Sequence, residues 1–494
     1  MSRPGQRDPQ GTRLPVKLDS TSNGEFEPVP LTPLHRQANR LAHRMASANA
    51  KRTGVGRRSF LVSACGAAST LLAFNTAYAA AGKAGGYFEL TADAAVDPEL
   101  ASAALEGDEF IFDVQGHFVN PQGAWLRELP DDARPLSFLA QMNPCAADAG
   151  GGRAYLNCFD SDQFIQDVFM DSDTDLMVLS FVPSRADAEP LTIEEATATA
   201  EIVEKLDGTH RMLVHGRVNP NQDGDLQQMD TLAEQWGVCA WKTYTQWGPD
   251  GKGFFLDDED VGIPFLEKAR ALGVKIVAVH KGLPFGPESY EHSTCADIGR
   301  VAKLFPDISF LVYHSGYVTG AAEGPYDPQR SDGVDALVTS LIENDVAPNA
   351  NVYAELGSTW RFLMRDPDSA AHTMGKLLKY CGEDNVLWGT DSIWYGSPQD
   401  QIQAFRSFQI AEDWRHRYNY PKITPALRAK VFGLNALKPY GRHVEDLLPK
   451  LRADRVMRSR QAYREAPDPH FRTYGPTNRR EFLNLLRWNG GSRV

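Results

Sequence analysis

The sequence predicts an α/β fold, a (β/α)8 TIM barrel with a long insertion after its first strand and with extensions at both termini. From about residue 109, short apolar runs alternate with longer segments of helical periodicity, a pattern typical of a parallel sheet built from βα units. Eight strands with crossover helices close into a barrel of about 250 residues plus insertions. The eight runs are 110–118, 176–182, 212–218, 238–244, 274–280, 309–314, 352–356 and 386–394.

The segments between these runs complete the predicted barrel. Several of the runs are nearly continuous in Val, Ile, Leu and Phe, as expected of strands that are buried on both faces. Gly273 stands where a helix must end before the fifth strand. The insertion 121–173 is rich in Gly, Asp and Pro, so we expect a loop or lid over the barrel mouth. Helices are predicted over 193–206, 260–272, 297–305, 334–343 and 399–408.

The first 79 residues are predicted to form a leader and a signal peptide. Arg57 and Arg58 precede an apolar run that ends in the small-x-small site 77–79, which resembles a twin-arginine signal cleaved after Ala79. This predicts a periplasmic or secreted protein, although an arginine pair before a short core helix stays open. The residues ahead of the pair are rich in Pro, Arg and Ser, which predicts disorder. A linker, 80–108, would then lead to the barrel, 109–440.

Composition excludes two classes of partner. The net charge of −13 argues against nucleic acid, because phosphate binding needs clustered Lys and Arg. No apolar stretch is long enough to predict a membrane span. The C-terminal extension, 441–494, contains arginine-rich segments and is predicted to be a solvated tail. Packing on the barrel or on a second subunit, and therefore a homodimer, stays open.

Polar residues recur where the predicted strands end, which is where the catalytic groups of such barrels lie. A single histidine after an apolar strand is more often structural than a ligand. Several imidazoles and carboxylates that converge at one rim instead predict a site for a divalent ion. The residues are Asp113, Gln115 and His117 on the first strand, His280 on the fifth, His314 on the sixth and Asp391 on the eighth.

The order of these residues resembles the layout of the amidohydrolase superfamily, which has Asp-x-His-x-His on strand one, His on strands five and six, and Gly-Thr/Ser-Asp on strand eight. The segment 432–436, Phe-Gly-Leu-Asn-Ala, resembles an element of the amidohydrolase-related branch, which includes aminocarboxymuconate semialdehyde decarboxylase. The resemblance covers residues 109–440. It implies one divalent ion bound by His117, His280 and Asp391, with His314 and Asp391 as catalytic groups. Zinc is the expected metal, with manganese as the alternative.

This sequence departs from the superfamily motif at Gln115, which replaces the first histidine of strand one. A glutamine ligand would offer a neutral amide oxygen, a harder and weaker donor to zinc than imidazole. Gln115 is therefore included as a fourth ligand with its role left open. Lys242 on strand four, Glu355 on strand seven and Trp394 at the end of strand eight are also predicted to line the substrate pocket. Lys242 is interpreted as a substrate-anion or structural residue.

The predicted function is hydrolysis of a small cyclic or aromatic substrate. A metal ion at this site would activate a water molecule and polarise a carbonyl group. The first alternative is non-oxidative decarboxylation of an aromatic or unsaturated carboxylate. The second is a barrel without metal that only binds a ligand, because Gln115 breaks the motif.

Overall fold

The computed structural model describes residues 11–24, 26–120, 123, 160–184, 189–207, 209–284 and 290–488. Each of the eight predicted apolar runs contains a strand, which confirms the predicted alternation. The strands are β1 (Gly86–Phe88), β2 (Phe112–Gly116), β3 (Leu176–Leu179), β4 (Met212–Val214), β5 (Gly216–Arg217), β6 (Trp241–Tyr244), β7 (Ile276–His280), β8 (Ser309–Tyr313), β9 (Val352–Glu355), β10 (Val386–Leu387) and β11 (Phe408–Ile410).

Two arcs of parallel strands build the TIM barrel. One arc has the order β2-β3-β4 and the other the order β5-β6-β7-β8-β9-β10. His215 separates β4 from β5, and at this edge the amide of Cys239, which precedes β6, donates to the Val214 carbonyl of β4 (3.1 Å). At the other edge, the Asp391 amide donates to the Gln115 carbonyl of β2 (2.9 Å). Backbone hydrogen bonds therefore join the two arcs at both edges.

The register brings the carboxyl ends of neighbouring strands to one rim. Tyr244 of β6 pairs with His280 of β7, and His280 pairs with Tyr313 of β8. The last residues of three strands thus lie side by side, and the residues that follow them share the barrel mouth.

Helices surround the barrel, and the five predicted helical segments correspond to α6, α8, α9, α10 and α13. Gly273 follows α8 with a φ of +75°, a left-handed conformation that favours glycine, so its predicted role as a helix stop is confirmed. The α-helices are α1 (Pro33–Thr53), α2 (Arg57–Val62), α3 (Ala64–Ala80), α4 (Pro98–Leu105), α5 (Ser161–Ile165), α6 (Ile193–Asp207), α7 (Asp225–Gln235), α8 (Gly262–Ala271), α9 (Ile298–Leu304), α10 (Gly333–Glu343), α11 (Thr359–Leu363), α12 (Pro367–Tyr380), α13 (Gln399–Ser407), α14 (Glu412–Tyr418), α15 (Pro425–Ala429), α16 (Asn435–Leu437), α17 (Val444–Ala453), α18 (Arg455–Arg464) and α19 (Arg479–Trp488).

The predicted insertion after the first strand falls mostly outside the described residues. Its final part contains α5 and one wide helical turn, Gln166–Met170. None of the helices in the described part of the chain combines the length and the apolar character that a membrane crossing requires.

The predicted disorder of the leader is wrong for residues 11–24 and 26–56. Helix α1 buries Ala38, Ala42, Ala46 and Ala50, an alanine stripe with a spacing of four that lets α3 pack closely against it. The prediction of disorder rested on composition, which does not show this periodic stripe. The twin-arginine signal and the export that it implies stay predictions.

Residues 57–108 continue into the packed structure. Arg57 donates to the Gly11 carbonyl (2.8 Å), and Arg58 forms an ion pair with Asp468 (3.0 Å). The predicted linker contains α4 and β1, and β1 pairs antiparallel with β11. The region between the predicted signal and the barrel is thus ordered.

The C-terminal extension is also folded, so the predicted solvated tail is wrong for residues 444–483. Helix α17 buries Leu451, and the arginine-rich helix α18 buries Arg460. The Arg460 guanidinium donates to the Phe169 carbonyl (2.7 Å). This hydrogen bond satisfies the buried guanidinium, which the sequence analysis had placed in solvent. Phe482 of α19 packs against Tyr244 and Trp247 after β6. The extension therefore contributes to the barrel mouth.

Candidate functional site

The side chain of Asp391 is the centre of a buried hydrogen-bonded cluster at the barrel mouth. Its Oδ1 lies 3.1 Å from Nε2 of Gln115 and 3.1 Å from Nε2 of His117. Its Oδ2 accepts hydrogen bonds from Ser358 Oγ (2.5 Å) and from Asn23 Nδ2 (2.5 Å). All five residues are buried. Two carboxylate oxygens with four close polar partners leave little freedom for this side chain to turn.

Local sequence explains how these groups reach one point. Side chains on a strand alternate between its faces, so Gln115 of β2 and His117 directly after it emerge on the same side. Asp391 has a φ of +61° and Ser358 a φ of +53°, which are left-handed conformations that cost free energy in residues other than glycine. His314 shares this feature, with a φ of +65°. Such strained positions cluster at functional sites, and here they include Asp391 and its hydrogen-bond partner Ser358.

The Gly-Thr-Asp motif of strand eight has a structural reason at each position. A Cβ on Gly389 would lie 1.6 Å from Oε1 of Glu355, so only glycine fits there. The Thr390 amide and hydroxyl both donate to the Asp113 carboxyl group, which holds the end of β2 against this motif. Asp391 then projects into the mouth.

The hydrogen bonds of His117 indicate that a proton or a cation belongs beside it. Its Nδ1 lies 3.0 Å from the Ser180 carbonyl, so Nδ1 carries the ring proton. In a neutral ring, the Nε2 lone pair would therefore face Oδ1 of Asp391 across 3.1 Å. Two acceptors repel at this distance, and either a second ring proton or a bound cation relieves the repulsion.

The donor set of this cluster fits a divalent ion. Imidazole nitrogen, carboxylate oxygen and an amide oxygen are all metal ligands. The Gln115 Oε1 atom is buried without a hydrogen-bond partner among the described residues, so this oxygen is available to a ligand. Rotation of the amide would exchange Nε2 for Oε1 beside Asp391. Gln115, His117 and Asp391 are thus three predicted ligands that the structure brings together.

His280, the fourth predicted ligand, lies instead beside His314. The two rings meet edge to face with centroids 4.5 Å apart, and His280 stacks on Tyr244 at 4.8 Å. Its Nε2 lies 3.1 Å from the Gly282 carbonyl. Within the described ranges, no group of three or more His, Cys, Asp or Glu side chains is arranged to hold a metal ion. The full ligand set therefore stays a prediction.

His314 has the hydrogen bonding of a general base. Its Nδ1 lies 2.6 Å from the Gly357 carbonyl, so the proton of the neutral ring is on Nδ1 and the lone pair is on Nε2. Glu355 fixes the backbone around it: Oε2 accepts from the His314 amide (3.0 Å) and Oε1 from the Gly357 amide (2.6 Å). Glu355 therefore positions the backbone around His314, and its predicted place in the substrate pocket stays a prediction.

Lys242 introduces a buried positive charge into the barrel. Its Nζ lies 3.8 Å from the centre of the Tyr313 ring and 4.3 Å from that of Tyr244. Burial and the Lys242 charge hold the pKa of His215 well below its ordinary value. His215 bonds to the Tyr440 hydroxyl (2.8 Å) and stays neutral. The site thus combines one cation with aromatic walls.

Trp394, the third predicted pocket residue, is buried in an apolar cluster with Phe164 and Tyr474. Its carbonyl accepts a hydrogen bond from the Tyr474 amide (2.6 Å). This links the loop after β10 to the C-terminal extension. A role for Trp394 toward substrate stays a prediction.

Sequence analysis missed Asn23 and Ser358. Ser358 follows β9 at the rim and bonds to the Tyr395 hydroxyl (2.6 Å) as well as to Asp391, so its position after a strand was an available signal. Asn23 lies far ahead of the first barrel strand, in the region assigned to the leader. No local pattern in the sequence connects it with the mouth.

The ionisation of Glu355 predicts how the free energy of unfolding depends on pH. Burial raises the pKa of Glu355 to about 7, so the folded protein holds its proton where the unfolded chain has lost it. The free energy of unfolding of the wild type should therefore fall as the pH rises from about 4.5 to 7 and level off above, relative to Glu355→Gln. Urea denaturation of both proteins at several pH values measures this difference. A difference that is constant across this range would contradict the shift.

Comparison with known proteins identifies similar sequences and folds. A family model described as Amidohydrolase matches residues 112–442, two thirds of the chain. A search of curated proteins finds no match. One similar structure, a TIM-barrel protein from Bordetella bronchiseptica, has 13% identity and a TM-score of 0.41 over 69% of this chain and 99% of that chain.

Two further solved structures are similar at the same level. They are 5-carboxyvanillate decarboxylase LigW from Sphingomonas paucimobilis (14% identity, TM-score 0.39, 68% of this chain and 100% of that chain) and dihydroorotase from Saccharomyces cerevisiae (10% identity, TM-score 0.41, 69% and 86%).

Proposed function

Because this chain belongs to the amidohydrolase family of enzymes, whose superfamily uses divalent metal ions, we propose that it is a metal-dependent hydrolase. Its substrate would be a small cyclic or aromatic molecule. The observation that carries the proposal is the contact between His117 Nε2 and Asp391 Oδ1, two acceptors 3.1 Å apart whose repulsion a bound cation would relieve. A zinc or manganese ion held there would activate water and polarise the carbonyl under attack.

The residues of the chain divide the remaining work. His314 accepts and returns a proton at Nε2, because the Gly357 carbonyl holds its Nδ1 proton. Asp391 is kept in one orientation by the donors on both of its oxygens. Lys242 supplies a positive charge for an anionic part of the substrate, and Tyr244 and Tyr313 beside it offer apolar surface.

The His314→Ala variant tests this assignment. We expect it to lose about 10²- to 10⁴-fold in turnover, because proton transfer is removed, while its metal content stays that of the wild type. Turnover is measured against a paired set of lactones, amides and aromatic carboxylates, and metal by elemental analysis. The control is His416→Ala, because His416 is exposed on α14. Full turnover in His314→Ala would refute the assignment.

Decarboxylation is the second candidate, and the environment of Lys242 favours it. A buried ammonium group between two aromatic rings suits a carboxylate on an aromatic substrate. Release of carbon dioxide from aromatic carboxylates would support this lyase activity. Acid production from lactones or amides would support the hydrolase.

In either reaction, the Lys242→Met variant distinguishes a role for the charge of Lys242 from a role for its side-chain volume. Met keeps much of the side-chain volume and removes the charge, so KM should rise about tenfold or more for carboxylate substrates and change little for neutral ones. Steady-state kinetics on a matched acid and amide measure the ratio. Equal effects on both substrates would show that Lys242 has a structural role.

The metal content of the full-length protein distinguishes these two enzymes from a barrel that binds no metal. We expect about one divalent ion per full-length chain, measured by elemental analysis after loading with zinc or manganese. A protein that binds neither ion would refute the metal-dependent proposal and favour ligand binding alone. Light scattering on the same sample determines whether a homodimer forms.

A further inference from the structure

We propose that the N-terminal strap, defined as residues 14–24, is a permanent wall of the active site and that its Asn23 positions Asp391. The inference deepens the proposed function and rests on it in one respect: Asp391 is taken as the carboxylate that acts there. The strap is assigned to the working enzyme, and is therefore distinct from a leader that is discarded.

The direct contact is a hydrogen bond between residues 368 positions apart in the chain. Asn23 Nδ2 donates to Oδ2 of Asp391 at 2.5 Å, and both side chains are buried. A donor on Oδ2 leaves Oδ1 facing Gln115 and His117. Asn23 thus sets the rotation of the carboxylate without adding a charge.

Ionic contacts on the barrel side anchor the strap beside this bond. Arg361 of α11, three residues after Ser358, forms an ion pair with Asp19 of the strap (2.7 Å). The Lys17 amide donates to Asp400 Oδ2 (3.1 Å) on α13. Arg361 and Asp400 are both buried. Buried charges need partners, so these contacts indicate a built interface.

The C-terminal extension holds the other side of the strap. The Ser22 amide donates to the Pro476 carbonyl (2.9 Å), and the hydroxyls of Thr21 and Thr473 are 2.7 Å apart. Gly475 gives the strap room, because a Cβ there would lie 1.7 Å from the Ser22 carbonyl oxygen. The strap therefore passes between the loops after β9 and β10 and the segment 473–477.

The first test compares two asparagine variants in the full-length protein. Asn23→Ala removes the donor to Asp391, and Asn39→Ala is the matched control, since Asn39 donates to the Leu18 carbonyl (2.9 Å) and holds the strap from outside the site. With zinc alone as the probe, we expect affinity to fall about 10- to 100-fold in Asn23→Ala and to change less than about threefold in Asn39→Ala. Competition with a zinc chelator measures both values.

The second test is independent of metal and activity. Hydrogen exchange at the strap amides should be slow in the full-length protein and should accelerate about tenfold in both Asn23→Ala and Asp391→Ala, with no further increase in the double variant. Wild-type protein that binds neither zinc nor manganese refutes the metal-dependent function only, and the hydrogen-exchange result then tests the strap by itself. Fast exchange in the wild type, or additive effects, would overturn the proposal.

The opposite outcome is that the strap inhibits the enzyme. Tighter zinc binding or higher turnover in Asn23→Ala would show that the strap blocks the site. Mass spectrometry of the active protein from its own cells provides the final check. A chain that retains the strap supports the proposal, and an active chain that begins at Ala80 overturns it.

Discussion

A chain that lacks residues 1–79 is expected to be unfolded or aggregated. The deletion removes Phe26, Leu71 and Phe74 from the main hydrophobic core, so the surface that they cover meets water. Each large side chain contributes about 1.5 to 3 kcal/mol through burial. The deletion also removes Asp19, one of the two carboxylates that pair with the buried Arg361, and leaves Asp400 as its remaining partner. These losses approach the entire stability of a typical domain, about 5 to 15 kcal/mol.

Circular dichroism and size-exclusion chromatography on matched preparations measure this effect. The control is the full-length chain with Arg52→Ala, because Arg52 is exposed at the end of α1. We expect the control to melt at the temperature of the wild type and to remain soluble. A deletion of residues 1–79 that folds cooperatively and stays active would show that the N-terminal helices are dispensable.

Replacing Asp391 should have the largest effect on chemistry. Asp391→Ala removes one hydrogen-bond acceptor from each of Asn23, Ser358 and Gln115, which costs up to about 1 to 3 kcal/mol for each of these buried donors. It also removes the anionic member of the proposed metal cluster. We expect turnover to fall about 10³-fold or more and bound metal to be lost.

Elemental analysis, turnover and thermal melting of one preparation separate these consequences. Asp413→Ala is the matched control, because Asp413 is exposed on α14. Asp391→Asn keeps the shape of the side chain, so it should melt closer to the wild type than Asp391→Ala does, yet still lose turnover. Full activity in either variant would exclude Asp391 from the mechanism.

The barrel and its rim were predictable because their signals are local and periodic. Unbroken apolar runs marked the buried parallel strands, and the β2 alternation placed Gln115 and His117 on one face. Strand-end positions then identified His280, His314 and Asp391 without any knowledge of contacts. These signals do not give the orientation of a side chain. Nε2 of His280 lies against the Gly282 carbonyl, which no spacing rule indicates.

The two terminal segments were misinterpreted for physical reasons. Composition suggested a disordered leader, whereas the alanine stripe of α1 packs against α3. A run of arginines suggested solvent, whereas Arg460 satisfies buried backbone carbonyls. Asn23 has no local signal, because the evidence for its role is a contact with a residue 368 positions away. Long-range contacts of this kind require the structure.

The meeting of Ser22 with Pro476 places a condition on the order of synthesis. A ribosome synthesises the chain from the N-terminus. More than four hundred residues must therefore be added after the strap before the segment 473–477, which holds its other side, exists. Until then, the barrel mouth has one open side, and the chain resembles a late folding intermediate with exposed apolar surface. We expect a ribosome-bound chain stalled before residue 473 to lack the completed site. Activity would then appear only when translation is nearly finished.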